Sequence, residues 1–375
     1  MNRTRWAGFF IVLLSMGVVL SATAEEKARR PVIQLAILLD TSNSMDGLIN
    51  QARSEIWKIV NEFTLARKGG QRPDIEVALF EYGNDSVKDE GFVRLVLPLT
   101  SDLDKVSEEL FALTTNGGSE YCGQVIRAAT NGLKWSQDKE ALKVIVIAGN
   151  EPFTQGSVDY REACKEAIGK GILVNTIHCG SYDEGVEGRW KDGAMLADGR
   201  YLNIDQEKAV PHIDAPQDPE ITRLGEEMNR TYIPYGSAGS AAAERQSVQD
   251  SNAAKMSVES AAQRAIFKSS ANYQNTGWDL VDAVSDGSVA LSDVKAEDLP
   301  EAMQKMSLEE RKRHVDAQKK ERARLQEQIR KLNDQRKEFV AQKMKELEKG
   351  GEETLDSAMI KAMREQAEKR NYRFE

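Results

Sequence analysis

The sequence predicts an α/β fold with a doubly wound, mostly parallel sheet and a helical, coiled-coil-like C-terminal extension. Strand-like and helix-like stretches alternate from residue 32 to about 236, which is typical of a parallel sheet with helices on both faces. The strand-like stretches are almost continuously aliphatic, as expected for strands that are buried on both faces. From residue 307 the chain consists of charged helix formers without glycine or proline until Gly350, which predicts one long helix.

The predicted strands are the aliphatic segments of the first two thirds of the chain. In chain order they are VIQLAILLD from residue 32, IEVALFEYG, FVRLVLPLT, LKVIVIAG, GILVNTIHCG and, with weaker patterns, GRYLNID and RTYIPYG. Helical periodicity falls between the strands, at residues 46–66, 102–113, 123–135, 157–169 and 219–229. The stretch from Trp190 to Pro219 has no regular pattern and is expected to form an ordered loop.

This organisation divides the chain into five parts. They are a signal peptide at 1–24, the α/β domain at 32–236, a helical linker and docking segment at 237–306, a long charged helix or coiled coil at 307–349 and a tail at 350–375. Four apolar residues of the linker are expected to dock onto the α/β domain: Tyr273, Trp278, Leu280 and Val281.

The long helix has two interpretations. Its apolar residues follow a coiled-coil spacing: Leu325, Ile329, Leu332 and Phe339. Arg322 and Arg336 occupy the alternate core positions, however, so a strict heptad seam is broken. A dimeric coiled coil and a helix that leans on its own domain both fit this pattern. In either case we expect the helix to be separable from the α/β domain.

The N-terminus has the features of an export signal. Arg3 and Arg5 precede an apolar run, and Ala22 and Ala24 provide small residues before a cleavage point ahead of Glu25. An uncleaved membrane anchor is the alternative. Cleavage predicts a periplasmic or secreted protein and changes the formal net charge from -9 to -11, because the removed segment holds two arginines and no acidic residue. This acidity disfavours nucleic-acid binding and is compatible with cation binding.

A cluster of side-chain oxygens follows the first predicted strand. The stretch LAILLDTSNSMDG places a carboxylate and two hydroxyls two residues apart, at Asp40, Ser42 and Ser44. Ligands bind α/β sheets in the crevice at the carboxyl ends of the strands, and a hard divalent cation requires oxygen ligands. The pattern therefore indicates a metal site, although helix capping also uses Asp and Ser in this position.

This pattern resembles the von Willebrand factor A domain and its metal-ion-dependent adhesion site. The resemblance depends on the aliphatic strand that ends in Asp-x-Ser-x-Ser-Met, the helix after it, the later Gly117-Gly118 turn that opens a helix, and the loop after VIVIAG. It covers roughly residues 32 to 236. The resemblance implies a domain that binds a partner protein through Mg²⁺, or Ca²⁺, with an acidic side chain of the partner completing the metal site.

Two positions depart from the family pattern. Ser119 or Glu120 lies nearest the place of the family's threonine, and Gly149 falls where the family has an aspartate. Glu120 could supply the missing carboxylate directly or through water, and Asn150 could supply an amide oxygen. The predicted metal ligands are therefore Asp40, Ser42, Ser44 and Glu120. A metal-free interface with a vestigial site is the alternative.

The predicted function is binding and not catalysis. A pair of His178 with Cys122 or Cys179 is conceivable, but no third residue stands out to orient it. We expect a metal-dependent interaction with a protein that presents an acidic residue, or alternatively a metal-independent envelope scaffold. A homodimer through the C-terminal helix fits either function, and membrane contact is expected only if the signal is uncleaved.

The chain has three cysteines, an odd number for an oxidising compartment. A disulfide between Cys122 and Cys179 is possible, whereas Cys164 sits in a helical pattern where a small buried residue is the ordinary expectation. The remaining thiol would be free or would pair between molecules.

Overall fold

A computed structural model describes residues 30–46, 49, 59–204, 213–348 and 355–374. The signal peptide prediction at 1–24 lies outside the described residues. The strands are β1 (Val32–Asp40), β2 (Ala66–Lys68), β3 (Asp74–Tyr82), β4 (Val93–Thr100), β5 (Leu142–Gly149), β6 (Ile172–Cys179), β7 (Tyr201–Ile204) and β8 (Tyr372–Phe374).

The helices lie between and after these strands. The α/β region contains α1 (Leu103–Ala112), α2 (Cys122–Gly132), α3 (Tyr160–Gly169), α4 (Tyr182–Glu187), α5 (Trp190–Leu196) and α6 (Asp218–Asn229). The C-terminal part contains α7 (Gly239–Met256), α8 (Val258–Ser269), α9 (Leu280–Asp286), α10 (Glu301–Gln304), α11 (Leu308–Glu348) and α12 (Leu355–Glu368). The helix predicted at 46–66 is described only in part, and it is helical at Ile49 and over residues 59–64.

One six-stranded sheet organises the fold, in the order β4-β3-β1-β5-β6-β7. All its neighbours are parallel except β4, which pairs antiparallel with β3. Alternate β1 residues enter two cores: Ile33, Leu35 and Ile37 pack on one face, and Ala36 and Leu38 on the other. The doubly wound, mostly parallel sheet is confirmed, because both faces are covered by helices and loops.

The edge strand β4 differs from its prediction. Its aliphatic pattern predicted burial on both faces, but no residue of β4 is fully buried, and Leu95 is 44% exposed. The reason is its place at the edge, where only β3 is a neighbour. Pro98, which cannot donate a ladder hydrogen bond, is tolerated in such a strand.

Two local predictions are wrong, and one pair of strands was not predicted. The segment RTYIPYG forms no strand and makes only an isolated bridge between Pro234 and Asp279. The stretch from Trp190 begins with α5 instead of an irregular loop, because the Trp190 side chain is completely buried against Phe153. The short strands β2 and β8 pair with each other over three residues, and neither was predicted.

Two of the four linker residues expected to dock, Tyr273 and Trp278, contact the core of the sheet, and the other two do not. Tyr273 is buried in the larger core and Trp278 packs against it, whereas Leu280 and Val281 belong to a smaller cluster that also contains Val315 of α11. The attachment is also ionic. Arg264 of α8 pairs with Asp104 of α1 and, at 2.9 Å, with Asp250 of α7, and the arginine and Asp104 are buried.

The long helix leans on its own domain. Leu325 and Ile329 are buried in the larger core of the sheet. Arg322 and Arg336 are also buried, each beside a fully buried aspartate: Asp279 at 2.7 Å and Asp218 at 2.6 Å, respectively. The expectation that this helix is separable does not fit these contacts. A dimer through it would have to use other residues than this apolar pair.

The chain end returns to the α/β domain. Residue Tyr372 of β8 is buried and donates a hydrogen bond from its hydroxyl to the carbonyl of Val32 at the start of β1, over 3.0 Å. Gln366 of α12 exchanges hydrogen bonds with Asn175 of β6, and both side chains are buried. The C-terminal segment therefore closes against the end of the sheet opposite Asp40.

Candidate functional site

The carboxyl ends of β1, β3 and β5 meet at one edge of the sheet. Asp40 is the last residue of β1 and lies opposite Tyr82, the last residue of β3. The following loops are tied together: the carbonyl of Thr41 accepts from the backbone N–H of Asn116 at 3.0 Å and from the side-chain amide of Asn84 at 3.3 Å. This network fixes the backbone from which the predicted ligands project.

Asp40 is fully buried and only half satisfied. Its Oδ1 accepts a hydrogen bond from the backbone N–H of Ser42 over 2.8 Å. Its Oδ2 is buried and has no hydrogen-bond partner. Leaving such an oxygen unpaired costs about 1–3 kcal/mol or more for a charged group. The fold therefore holds a carboxylate oxygen in a position that calls for a cation or a proton.

The two predicted hydroxyls lie beside this carboxylate. Ser42 Oγ and Ser44 Oγ are 2.8 Å apart, and Ser44 Oγ donates to Oδ1 of Asn150 over 3.0 Å. Ser42 precedes the short 3-10 helix Asn43–Met45, but its side chain makes no capping hydrogen bond. Ser42 therefore does not cap this short 3-10 helix, whereas the start of the helix predicted at 46–66 lies outside the described residues.

Two glycines, Gly83 and Gly118, allow Glu120 to lie close to Asp40. Gly83 has a φ of +76°, and a Cβ added to it would lie 2.8 Å from both Asp40 Oδ1 and Glu120 Cγ. A Cβ on Gly118, whose φ is +154°, would lie 2.2 Å from the carbonyl oxygen of Gly83. Only glycine permits these conformations and this approach. The Gly-Gly turn can thus come close to the end of β3 and place Glu120 at the site.

The electrostatics of the site favour added positive charge. The pKa of Asp40 is raised to about 7, chiefly by burial and in part by the nearby charge of Glu120, while the hydrogen bond from Ser42 opposes the rise. Burial likewise raises the pKa of Glu120, and the carboxylates of Glu151 and Asp85 add to this shift. Two carboxylates are therefore held in an environment that penalises their charge. A bound cation would remove that penalty.

Gly149, which falls where the resemblance implies an aspartate, leaves no room for a side chain. A Cβ at this position would lie 2.4 Å from the hydroxyl of Tyr82 and 3.1 Å from Asp40 Oδ2. The Tyr82 hydroxyl donates to the carbonyl of Ala148 over 3.0 Å and is fixed there. A side chain at 149 would collide with it. Tyr82 was not predicted as part of the site, although its position at the end of a strand next to β1 is a usable signal.

The described residues contain no group of three or more His, Cys, Asp or Glu side chains placed to hold a metal ion. Asp40 and Glu120 are the two carboxylates at the site, so any cation here would depend on hydroxyl and amide oxygens as well. Such a donor set is suited to Mg²⁺ or Ca²⁺, which take neutral oxygen ligands, and less suited to softer metals.

The proposed disulfide and the cysteine-histidine pair are not formed. All three cysteines, Cys122, Cys164 and Cys179, are free and buried, and burial raises the pKa of each thiol. Neither ring nitrogen of His178 has a hydrogen-bond partner. The possible Cys122–Cys179 disulfide is therefore absent, because the two residues serve as packing on separate faces of the sheet.

Replacing His178 by Phe should flatten the loss of stability at acidic pH. Burial lowers the pKa of this imidazole, with Glu184 opposing weakly, so the unfolded chain takes up the proton at a higher pH than the folded chain. Its contribution therefore reduces the free energy of unfolding as the pH falls below about 6.5. Urea unfolding of both proteins from pH 7.5 to about 5 would measure this.

The ring of His178 lies 5.6 Å from that of Trp190, so His178→Leu is a control for a steric clash of the larger Phe. If the free energies of unfolding of the wild type and the variant differ by the same amount at every pH, His178 does not cause the loss of stability at acidic pH.

Comparison with protein-family sequences decides the nature of the α/β region. Residues 34–187 match the von Willebrand factor type A domain. This part of the chain is a von Willebrand factor type A domain. The match begins within β1 and ends at the last residue of α4, and it includes Asp40, Ser42, Ser44 and Glu120. Such domains are generally interaction modules, which supports a protein-interaction module here.

Several solved structures are similar to part of this chain. BatB from Bacteroides thetaiotaomicron is 21% identical over 46% of this chain and 90% of that chain, with a TM-score of 0.36. The SpRpn10 VWA domain is 16% identical over 46% and 88%, also with a TM-score of 0.36. Proximal thread matrix protein 1 from the mussel byssus, solved with a zinc-occupied MIDAS motif, is 10% identical over 48% and 43%, with a TM-score of 0.36. A search of curated proteins gave no match.

Proposed function

We propose that the A domain binds a partner protein through a divalent cation held by Asp40, Ser42 and Ser44, with Glu120 supplying a second negative charge. The observation that carries this proposal is the buried, unpartnered Oδ2 of Asp40 beside two hydroxyls. When bound, the cation would neutralise the buried charge and offer a coordination position to an acidic side chain of the partner. The chain's own residues orient the oxygens and exclude water from the inner side.

The donor set fits Mg²⁺ or Ca²⁺. The described oxygens are a carboxylate and two hydroxyls, and both cations accept such hard ligands and retain waters. Asn150, whose amide oxygen accepts from Ser44, orients that hydroxyl. Glu120 replaces the charge that the missing aspartate at Gly149 would have provided, from the opposite side of the crevice.

A metal-independent scaffold is the second candidate, and one observation favours it. The Tyr82 hydroxyl occupies the space that a side chain at Gly149 would need, so this site has lost one of the family's carboxylates. If Asp40 remained protonated near neutral pH, the same loops could form a metal-free interface. We also include export in the proposal, on the strength of residues 1–24. In the described residues no helix is long and apolar enough to cross a membrane.

Cation binding should raise the melting temperature of the protein. A ligand that binds only the folded state stabilises it by about 2.7 kcal/mol when its free concentration is a hundredfold above Kd. For domains of about 150–250 residues the shift is on the order of 2–4 °C per kcal/mol, so we expect an increase of several degrees. Thermal melts in excess Mg²⁺, in Ca²⁺ and in EDTA would measure it.

The variant Asp40→Ala removes the charged ligand of the triplet and should abolish the response, and Ser42→Ala should reduce it. Asp102→Ala, which changes an exposed helix cap, is the matched control and should keep the full response. Identical wild-type curves in all three conditions would overturn the metal proposal in favour of the scaffold.

A further inference from the structure

The sheet edge that carries Asp40 is strongly acidic. Five described segments meet at this edge: residues 41–46, 83–92, 113–121, 150–159 and 180–189. Their carboxylates, here called the acidic rim, are ten residues: Asp46, Asp85, Asp89, Glu90, Glu120, Glu151, Asp159, Asp183, Glu184 and Glu187. Only two cationic residues, Lys88 and Arg189, lie in the same segments. The edge therefore has a formal charge of -8, against -9 for the whole chain.

The rim lies on the same sheet edge as the site and is accessible. Of its ten members only Glu120 is buried and Glu151 is half-buried, while the other eight are exposed. Glu151 and Asp85 are close enough to Glu120 to raise its pKa. The second, independent feature at this edge is the fully buried Asp40 with its unpartnered oxygen. The rim is thus the surface that a partner of the Asp40 site has to approach.

This charge restricts the partner. A carboxylate that approaches the edge is repelled by the rim, and one bound cation offsets that repulsion only close to Asp40. The flanks of the partner remain within a Debye length of about 8–10 Å of rim carboxylates at moderate salt. Like charges placed opposite each other across an interface weaken binding, and opposite charges speed association. A partner with acidic or neutral flanks therefore loses affinity here.

The rim also carries apolar contact area. Tyr182 and Val186 lie one turn apart on α4 and are 47% and 36% exposed. The Tyr182 hydroxyl accepts a hydrogen bond from Lys191 Nζ over 2.9 Å, and this ammonium lies 5.5 Å from the ring centre. The ring thus already contacts a cation. Aromatic rings of this kind are favourable sites for a partner's arginine or lysine.

We infer that the partner is a protein whose metal-binding carboxylate lies in a basic surface rich in lysine or arginine. The inference rests on the proposed function, since it takes the acidic residue at the cation as given and adds the chemistry of its surroundings. It excludes a polyanion such as nucleic acid as the occupant of this edge. The A domain would select such a partner because its surface combines one acidic residue at the centre with basic residues around it.

Three fluorescein-labelled peptides of equal length would test this. The first has one glutamate flanked by lysines, the second has glutamine in place of the glutamate, and the third has serines in place of the lysines. In Mg²⁺ at about 50 mM NaCl, fluorescence anisotropy should show that the first peptide binds at least tenfold more tightly than either of the others. The gain in affinity that comes from the lysines should fall steeply when NaCl is raised to about 300 mM. Equal binding of the lysine-flanked and serine-flanked glutamate peptides would overturn the inference.

A rim variant tests the surface without touching the metal site. Asp183→Asn with Glu187→Gln removes two exposed charges. It should weaken binding of the lysine-flanked peptide several-fold and leave binding of the serine-flanked peptide unchanged. The matched control, Asp293→Asn with Glu297→Gln, removes two exposed charges outside the rim and should change neither.

The two proposals fail differently. The rise of melting temperature in Mg²⁺ should be the same in the rim variant and the wild type. If the cation response is present but lysine flanks make no difference, only the partner inference is wrong. If the cation response is absent and the glutamine peptide binds as well as the glutamate peptide, the metal proposal and the inference built on it are both wrong.

Discussion

A chain that ends at Pro300 is expected to lose cooperative unfolding. The truncation removes Leu325 and Ile329 from the larger core, and it takes away Arg322 and Arg336, the partners of Asp279 and Asp218. Breaking one such buried pair typically costs about 3–5 kcal/mol, which approaches the total stability of many domains. Urea unfolding followed by circular dichroism would measure this. A cooperative transition at the wild-type midpoint would show that the extension is separable after all.

A single substitution separates the ionic contact from the loss of the whole extension. Arg322 donates to Asp279 and Asp282, each at 2.7 Å, and its guanidinium lies 4.0 Å from the ring centre of Tyr232. Arg322→Met keeps most of the apolar stem and should lower the free energy of unfolding by about 3–5 kcal/mol. Lys331→Met changes the same helix at a side chain that is 71% exposed, and it should cost at most about 1 kcal/mol.

The central strands could be predicted from sequence because they carry their own signal. The aliphatic runs of β1, β3, β5 and β6 are buried on both faces, so burial imposes the same pattern along each whole strand. Strand direction has no such signal, and the antiparallel edge strand β4 could not be distinguished from a buried one. The strands β2 and β8 are three residues each and pair across 304 or more positions of chain, a contact that no local pattern encodes.

The long helix shows a second limit. Arg322 and Arg336 look like defects in an apolar seam when only the helix is considered. In the structure they are buried because aspartates from two other elements meet them, at Asp279 and Asp218. A charged residue at a core position is thus ambiguous until its partner is known. The partner in each case is more than forty residues away, so helical periodicity alone could not decide between a dimer seam and an internal contact.

The predicted oxygen cluster was recognisable because its members are close in sequence. Asp40, Ser42 and Ser44 lie at the end of β1 and in the loop after it, and Glu120 lies close to Asp40. Tyr82 could not be predicted as the residue that excludes a side chain at Gly149, because the collision arises between strands on either side of β1. The metal ligand assignment itself stays a prediction.

The variant Asp40→Asn is expected to be more stable than the wild type in EDTA and to lose the cation response. Burial raises the pKa of Asp40 to about 7 from a usual value near 3.8, so the folded state binds a proton that the unfolded state has released. This group's contribution to stability is therefore complete below about pH 4 and is lost as the pH rises through about 7. At pH 8 the buried charge opposes folding by up to roughly 4 kcal/mol.

Asparagine keeps an oxygen for the N–H of Ser42 and removes the charge, while its amide group introduces a buried donor. The net gain in EDTA should therefore be about 1–3 kcal/mol, or several degrees of melting temperature. Asp102→Asn, a neutralisation at an exposed helix cap, should leave both the stability and the cation response nearly unchanged. Melts of the three proteins at pH 8 in EDTA and in Mg²⁺ give the comparison. If Asp40→Asn is less stable than the wild type in EDTA, the carboxylate stabilises the fold. If the variant is more stable and does not respond to Mg²⁺, the wild-type fold gives up stability to hold a charge that binds a cation.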